Sequence, residues 1–358
     1  MALTYDVKIW QIETRKWQSK TSYRVVWFVD KERWTDKFET FSLADGFRSD
    51  LVTAARKGEA FDTETGRPVS LSRAKNTLPW FTFAQKYVDM KWPRAAAKSR
   101  AGIADALATV TPMMLTSDRG RPRAAVLRRA MTGWAFNTKR RSDPKPREVE
   151  QALKWLEANT AQVSVLDDVA NLRRALDALS LKMDGKQAAA KTITRKRAVF
   201  FNVLEYAVEL KLLTANRLPE VKWEAPKTVR SIDKRVVINV RQAESLLTAI
   251  RAQTIPGQPR RSAGPMLRGF FAVMYYAALR PEEAAMLSKA DLELPAAGWG
   301  ELLLSESAPI AGAAWTDSGE RRDQRQLKQR GKGEVRHVPS PPPLTVILKE
   351  HLAEFDRW

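Results

Sequence analysis

The sequence predicts a mainly α, multidomain protein, in which a small β-rich N-terminal domain is followed by an all-helical domain and a mixed α+β, mostly helical C-terminal domain. Three observations lead there. The 358 residues, 44% of them hydrophobic, suffice for two or three domains that each bury a core. Strand-like alternation is confined to residues 5–40, whereas helical spacing dominates from residue 79 to residue 222. A polar, basic stretch at residues 224–235 (EAPKTVRSIDKR) then separates the helical block from the C-terminal third of the chain.

Taken in order, Val7, Ile9 and Gln11 alternate, Tyr23–Val29 is β-branched and aromatic, and Trp34–Phe41 forms a third strand. Ser42 opens a helix whose Phe47, Leu51 and Ala54 recur at helical spacing up to Gly58. Residues 1–78 therefore read as a three-stranded sheet carrying one helix, with Arg15, Lys16, Lys20, Arg24, Lys31 and Arg33 at its turns and edges. Residues 79–223 contain six helical segments: Trp80–Met90, Arg100–Val110, Arg123–Phe136, Pro146–Asn159, one marked by Val169, Leu172, Leu176 and Leu179, and one marked by Val199, Phe200, Val203 and Leu204. The opening turns of the sixth carry Lys191, Arg195, Lys196 and Arg197, a pattern suited to a helix that reads a DNA groove and equally to a solvated helix end. Beyond the linker, residues 236–358 begin with a helix at Val240–Ile250 and a densely apolar one at Pro265–Leu279.

Composition restricts the chemistry. No cysteine is present, which excludes disulfides, thiol nucleophiles and Cys-ligated zinc. His337 and His351 are the only histidines, so a multi-histidine metal site is not expected. A net charge of +20 and a pI near 10.2 call for a polyanionic partner, and double-stranded DNA is the expected one. The N-terminus is polar from Thr4 and lacks the apolar core of a signal peptide. The longest apolar run, Phe270–Leu279, spans ten residues, short of the roughly 20 that cross a bilayer. A cytoplasmic protein with no membrane partner is expected.

The residues from Ala277 onward carry the chemistry. Pro281 suits the first position of a new helix, and Glu282 and Glu283 suit the positive end of its dipole. Arg280 then stands at a junction between two helices, where a fixed guanidinium offers its planar fork to a phosphate. Downstream, Leu302–Leu304 reads as a strand, and Leu327-Lys-Gln-Arg-Gly-Lys-Gly-Glu-Val-Arg-His-Val-Pro-Ser-Pro-Pro342 reads as a basic hairpin turning at Gly331 and Gly333.

The segment Ala278-Leu-Arg-Pro-Glu-Glu-Ala-Ala-Met-Leu-Ser-Lys-Ala-Asp-Leu292 resembles the signature around the first catalytic arginine of tyrosine recombinases, the phage-integrase family of site-specific recombinases. Arg280, Glu283, Leu287 and Asp291 match it in spacing; Ala278 stands where glycine is usual and Ala290 where an aromatic is usual. The stretch Arg336-His-Val-Pro-Ser-Pro-Pro342 resembles the strand that follows the family's hairpin, and Thr192–Leu218 resembles its last core-binding helix, with Arg217 in place of a proline. The similarity covers residues 1–358, best from residue 192 onward.

The resemblance implies an arm-binding-like DNA-binding domain at 1–78, a helical core-binding (SAM-like) domain at 79–223, a basic linker at 224–235 and a catalytic domain from 236. It implies a cofactor-free exchange of DNA strands through a phosphotyrosine, with Arg280 clamping the phosphate and Lys328, or alternatively Lys332, protonating the leaving oxygen. It also implies homo-oligomers on attachment-site DNA, an accessory DNA-bending factor as a candidate partner, and an origin in a phage or other mobile element acting at the nucleoid. The family's His-x-x-Arg helix and its late tyrosine do not follow. The six tyrosines are Tyr5, Tyr23, Tyr87, Tyr206, Tyr275 and Tyr276, and His351 opens His-Leu-Ala-Glu. A recombinase truncated within its catalytic domain is expected, binding DNA without cleaving it and leaving apolar surface open on the helix from Leu344 to Phe355. The alternative is a non-catalytic DNA-binding or architectural protein, and whether the chain is an enzyme stays open.

Overall fold

The computed structural model describes residues 3–17, 20–71, 77–224, 227, 231–255, 258–331 and 333–358. The chain divides into two compact units, one of Met1–Tyr87, Ala106–Leu127 and Arg147–Glu224, the other of Val88–Asp105, Arg128–Pro146 and Ala225–Trp358. Neither is a continuous stretch of sequence.

The first unit opens with strands β1 (Leu3–Thr4), β2 (Val7–Ile9), β3 (Glu13–Trp17), β4 (Lys20–Val29) and β5 (Glu32–Phe38). Both β2 and β3 pair antiparallel with β4, on the edge opposite β5. Their registers, Val7 against Val29 and Glu13 against Arg24, differ by one residue, so residues 10–12 form a bulge in what is otherwise one edge strand. The three-stranded sheet read from the sequence is present, with its first strand interrupted. Alternation along β4 turns Val25, Trp27 and Val29 onto helix α1 (Phe41–Arg56), which meets them with Ala44, Phe47, Leu51 and Ala54. The Thr40 hydroxyl caps that helix by accepting the Leu43 amide at 3.3 Å.

A second small sheet, of order β1-β6-β7, adds β6 (Phe61–Asp62) and β7 (Arg67–Pro68). Its strands are too short to show a period in the sequence. Gly66 holds their turn with φ +66°, and any Cβ there would run into the Trp34 ring, so glycine alone fits. The Trp27 indole N–H donates to the Gly66 carbonyl and ties the two sheets together.

Helices α2 (Trp80–Lys91), α3 (Ala97–Val110), α4 (Ala124–Ala130), α5 (Arg147–Ala158), α6 (Val169–Leu179) and α7 (Ala190–Glu209) follow the sequence reading closely. The third segment differs in its second half, where Met131–Ala135 winds as a π-helical turn. In the first unit Trp80, Leu107, Leu156, Leu172, Leu176, Phe200 and Leu204 are buried, and the Trp80 indole donates to Thr111 Oγ1 at 3.0 Å.

In the second unit, α8 (Val240–Arg251) begins at a capping box of Asn239 and Gln242. The short hairpin β8 (Thr254–Ile255) and β9 (Gln258–Ser262) leads to α9 (Gly264–Tyr276) and to the four-residue α10 (Pro281–Ala284). Strands β10 (Leu292–Glu293), β11 (Gly300–Leu304), β12 (Glu306–Ser307), β13 (Arg325–Gln326) and β14 (Arg336–Ser340) precede α11 (Pro342–Phe355). They pair as an antiparallel sheet of order β10-β11-β14 and a ribbon of β12 with β13, so β11 and β14 form a hairpin extended by the β12-β13 ribbon. Its core joins Leu247, Val273, Leu279, Leu302, Leu304, Leu327, Val338, Leu344 and Leu348.

The apolar face expected to stay open on the last helix is instead packed. Leu344, Ile347 and Leu348 join that core, while Val346 is 55% exposed. Gly269 makes the close approach of α9 to α11 possible, because a Cβ there would lie 2.9 Å from His351 Nδ1. Of the expected linker, residues 225, 226 and 228–230 lie outside the described residues. No helix among the described residues is long and apolar enough to cross a membrane.

The loop of residues 308–324, between β12 and β13, is clasped by the earlier segments of its own unit. Arg100, its side chain only 4% exposed, donates to both Asp317 oxygens at 2.7 and 2.9 Å, to the Trp315 carbonyl at 2.9 Å and to the Trp92 carbonyl at 3.1 Å. Asn137 Nδ2 donates to the Ala314 carbonyl at 2.8 Å, and Lys139 Nζ reaches the Thr316 and Asp317 carbonyls. Trp92 and Trp315 lie ring to ring at 6.1 Å.

Candidate nucleic-acid interface

Arg280 owes its position to the way α9 stops. Ala278 takes a left-handed φ of +51°, the Leu279 amide returns to the Val273 carbonyl at 3.4 Å, and Pro281 then starts α10. A left-handed residue is what turns the chain sharply between two packed helices, which explains why glycine suits position 278. Leu279 and Ala284 on either side are buried, so the backbone carrying Arg280 is fixed.

Its side chain is fixed as well. Arg280 donates through a terminal guanidinium nitrogen to Glu283 Oε1 at 2.8 Å and through its backbone amide to Oε2 at 2.9 Å. Arg336, on β14, donates to the same Oε2 at 3.1 Å. The Glu283 side chain is 2% exposed, against 53% for Arg280 and 28% for Arg336. One buried carboxylate thus carries two guanidinium groups whose outer sides offer only donors. Such a centre attracts an anion with two oxygens to share.

The sequence reading identified Arg280 and Glu283 and missed Arg336. Its place shows only in the folded strand: along β14 the burial alternates, with Arg336, Val338 and Ser340 inward and His337 and Pro339 outward. An arginine on the inward face of a strand needs a carboxylate, and Glu283 is its partner. Lys328 lies exposed in the turn after β13, preceded by the buried Leu327. Lys332 lies outside the described residues.

The basic opening of α7 is divided by its own periodicity. Lys191 and Arg195 are exposed, and Arg197 is half-buried with its guanidinium 5.7 Å over the Trp223 ring. Lys196 requires a correction as a DNA-contacting residue. It is 7% exposed and its ammonium donates to Thr109 Oγ1 at 2.9 Å. The reason is spacing: Ile193, Lys196 and Phe200 form one inward stripe of the helix.

A further basic surface lies on the N-terminal sheet. Register places Lys8, Arg15, Arg24, Arg33 and Lys37 on the face opposite α1, and all of these except the half-buried Arg24 are exposed. Among the described residues no group of three or more metal-ligating side chains comes together. Burial pushes the Tyr87 phenol up to about 12 and raises that of Tyr276, the opposite of what activates a tyrosine nucleophile.

Two solved structures are similar to this chain. One is the Tn1549 transposon integrase in complex with a circular intermediate DNA, 12% identical, with 63% of this chain and 64% of that one covered and a TM-score of 0.39. The other is the XerH site-specific recombinase bound to difH substrate in a pre-cleavage complex, 13% identical, with 77% and 67% covered and a TM-score of 0.39. The alignment therefore spans less than two thirds of the first of these. No protein-family model and no curated protein matches the sequence.

Proposed function

We propose that the chain is a duplex-DNA-binding protein of the tyrosine-recombinase kind, with Arg280 as the clamp on a backbone phosphate. The observation that carries this reading is the guanidinium of Arg280 locked to the buried Glu283 at the junction of α9 and α10. Beside it stands the antiparallel sheet β10-β11-β14, whose hairpin also carries Lys328 as the candidate acid for the leaving oxygen. Residues 1–78 act as an arm-binding-like module through the basic sheet face, 79–223 as the core-binding domain through Lys191, Arg195 and Arg197, 224–235 as the linker and 236–358 as the catalytic region. Assembly of several copies on an attachment site, with an accessory bending factor, belongs to the same reading.

Mechanistically, a phosphotyrosine exchange needs cations around the pentacoordinate phosphate, an acid and a nucleophile. Arg280 supplies the first without reorganisation, because its fork is held before DNA arrives. Burial raises the phenols of Tyr87 and Tyr276, so neither is poised as the nucleophile. Binding without covalent strand breakage is the expected activity of these residues. The test is a gel shift on duplex DNA combined with a denaturing gel on a nicked suicide substrate. A shifted complex without an adduct supports the reading, whereas an adduct on any of the six tyrosines, or no shift, refutes it.

A further inference from the structure

We propose that Arg336 is a second phosphate-contacting residue, which with Arg280 forms a two-guanidinium fork on a single DNA phosphate. The proposal rests on the DNA-binding reading above and names a residue that the family signature around Arg280 does not include.

Charge balance is the first argument. A buried carboxylate needs one cation to neutralise it, and Glu283 has two, together with the Arg280 backbone amide. Its three accepted hydrogen bonds come from two places far apart in sequence, Arg280 just before α10 and Arg336 on β14. Among the described residues neither arginine forms an ion pair with another acid, so the cluster keeps a surplus positive charge. A second guanidinium is not required for burial of Glu283, and a buried ion pair with an extra cation is a poor stability device.

Accessibility is the second. The carboxylate is closed off at 2% exposure while both arginines stay open at 53% and 28%. An incoming anion therefore meets donors and not the acid. Arg336 also has its Nε buried with no hydrogen-bond acceptor among the described residues. Its guanidinium is thus incompletely satisfied by the protein.

Rigidity is the third. Arg336 pairs with Leu304 across the β11-β14 ladder, and the next inward residue, Val338, belongs to the core. Arg330, on the same hairpin, has no such anchor: it is exposed at 36% and paired one-to-one with Glu334, itself 49% exposed. Two arginines held on the two oxygens of one acid each keep donors beyond the one that binds it, enough to serve the two non-bridging oxygens of a phosphodiester.

The experiment measures equilibrium binding of the full chain to a mixed-sequence DNA duplex over a range of salt. Each phosphate contact contributes a slope of roughly −0.9 to the log-log plot, so Arg336→Gln is expected to make the slope shallower by about 0.9. Arg336→Lys keeps a charge opposite Glu283 and preserves the fold; it is expected to keep the slope but lose affinity at every salt concentration, because the fork is gone. Arg330→Gln, which removes the same charge nearby, is expected to leave the slope unchanged. An unchanged slope in Arg336→Gln, or an equal change in Arg330→Gln, overturns the proposal and leaves the DNA-binding reading standing. Absence of salt-dependent binding by the unmodified chain overturns both.

Discussion

Replacing Arg100 with alanine should release the loop of residues 308–324 without unfolding the rest of the chain. The side chain donates four hydrogen bonds to that loop and to the Trp92 carbonyl, and its guanidinium lies 4.6 Å over the Trp92 ring. Charge-assisted bonds of a buried guanidinium contribute about 1.5–3 kcal/mol each in favourable cases. The sum must be discounted, because Asp317 is 76% exposed and regains water once the arginine is gone. A net loss of about 2–3 kcal/mol is reasonable, equivalent to roughly 30- to 150-fold in the opening equilibrium of the loop. Hydrogen exchange reads that equilibrium directly. The amides of Ala311, Gly312 and Asp323 donate within the loop, to Arg321, Arg321 and Pro309, and should lose protection by that factor. Amides of β4 should not change. Unaltered protection in the loop, or the same loss everywhere, would refute the claim that Arg100 acts as a local clasp.

Ala278→Gly should stabilise the second unit by about 1 kcal/mol, since the left-handed φ of +51° penalises a Cβ, and urea unfolding would show it as a higher midpoint. His351 is buried between Phe355 and Trp358, and that burial lowers its imidazole below the usual 6.5. The folded chain therefore binds this proton less readily than the unfolded one, so stability is full above about pH 6.5 and falls as the pH drops below it. A thermal midpoint for the second unit that is flat from about pH 7 to 5 would contradict this. Replacing Arg195 and Arg197 together by alanine should weaken duplex binding more than replacing Arg321 and Arg322, which sit in the clasped loop; equal losses in a gel shift would mean that charge acts only in bulk.

Much of the architecture is legible in the sequence because each helix carries its own apolar stripe, whereas the caps at Asp168, Asn239 and Gln242 that fix the starts of α6 and α8 emerge only in the structure. The hidden part depends on pairing between distant residues. The β1-β6-β7 sheet consists of two-residue strands with no readable period, and its reason for existing is the Trp34 ring under Gly66. The grouping of Val88–Asp105 with the C-terminal residues rests on Arg100 meeting a loop more than two hundred positions later. Arg280 stands out because a helix junction is a local feature, whereas Arg336 becomes part of the same centre only when β14 pairs with β11. Lys196 shows the opposite error: a run of basic residues reads as one surface, although helical spacing divides it between solvent and core.

The central claim is that a guanidinium fixed on buried Glu283 engages a DNA phosphate. The most direct measurement compares the salt dependence of duplex binding for the unmodified chain and for Arg280→Gln. The expected result is a steep negative log-log slope for the unmodified chain, shallower by about 0.9 in the variant, with the fold intact by circular dichroism. Two well-folded proteins with identical slopes, or a slope near zero for both, would contradict it.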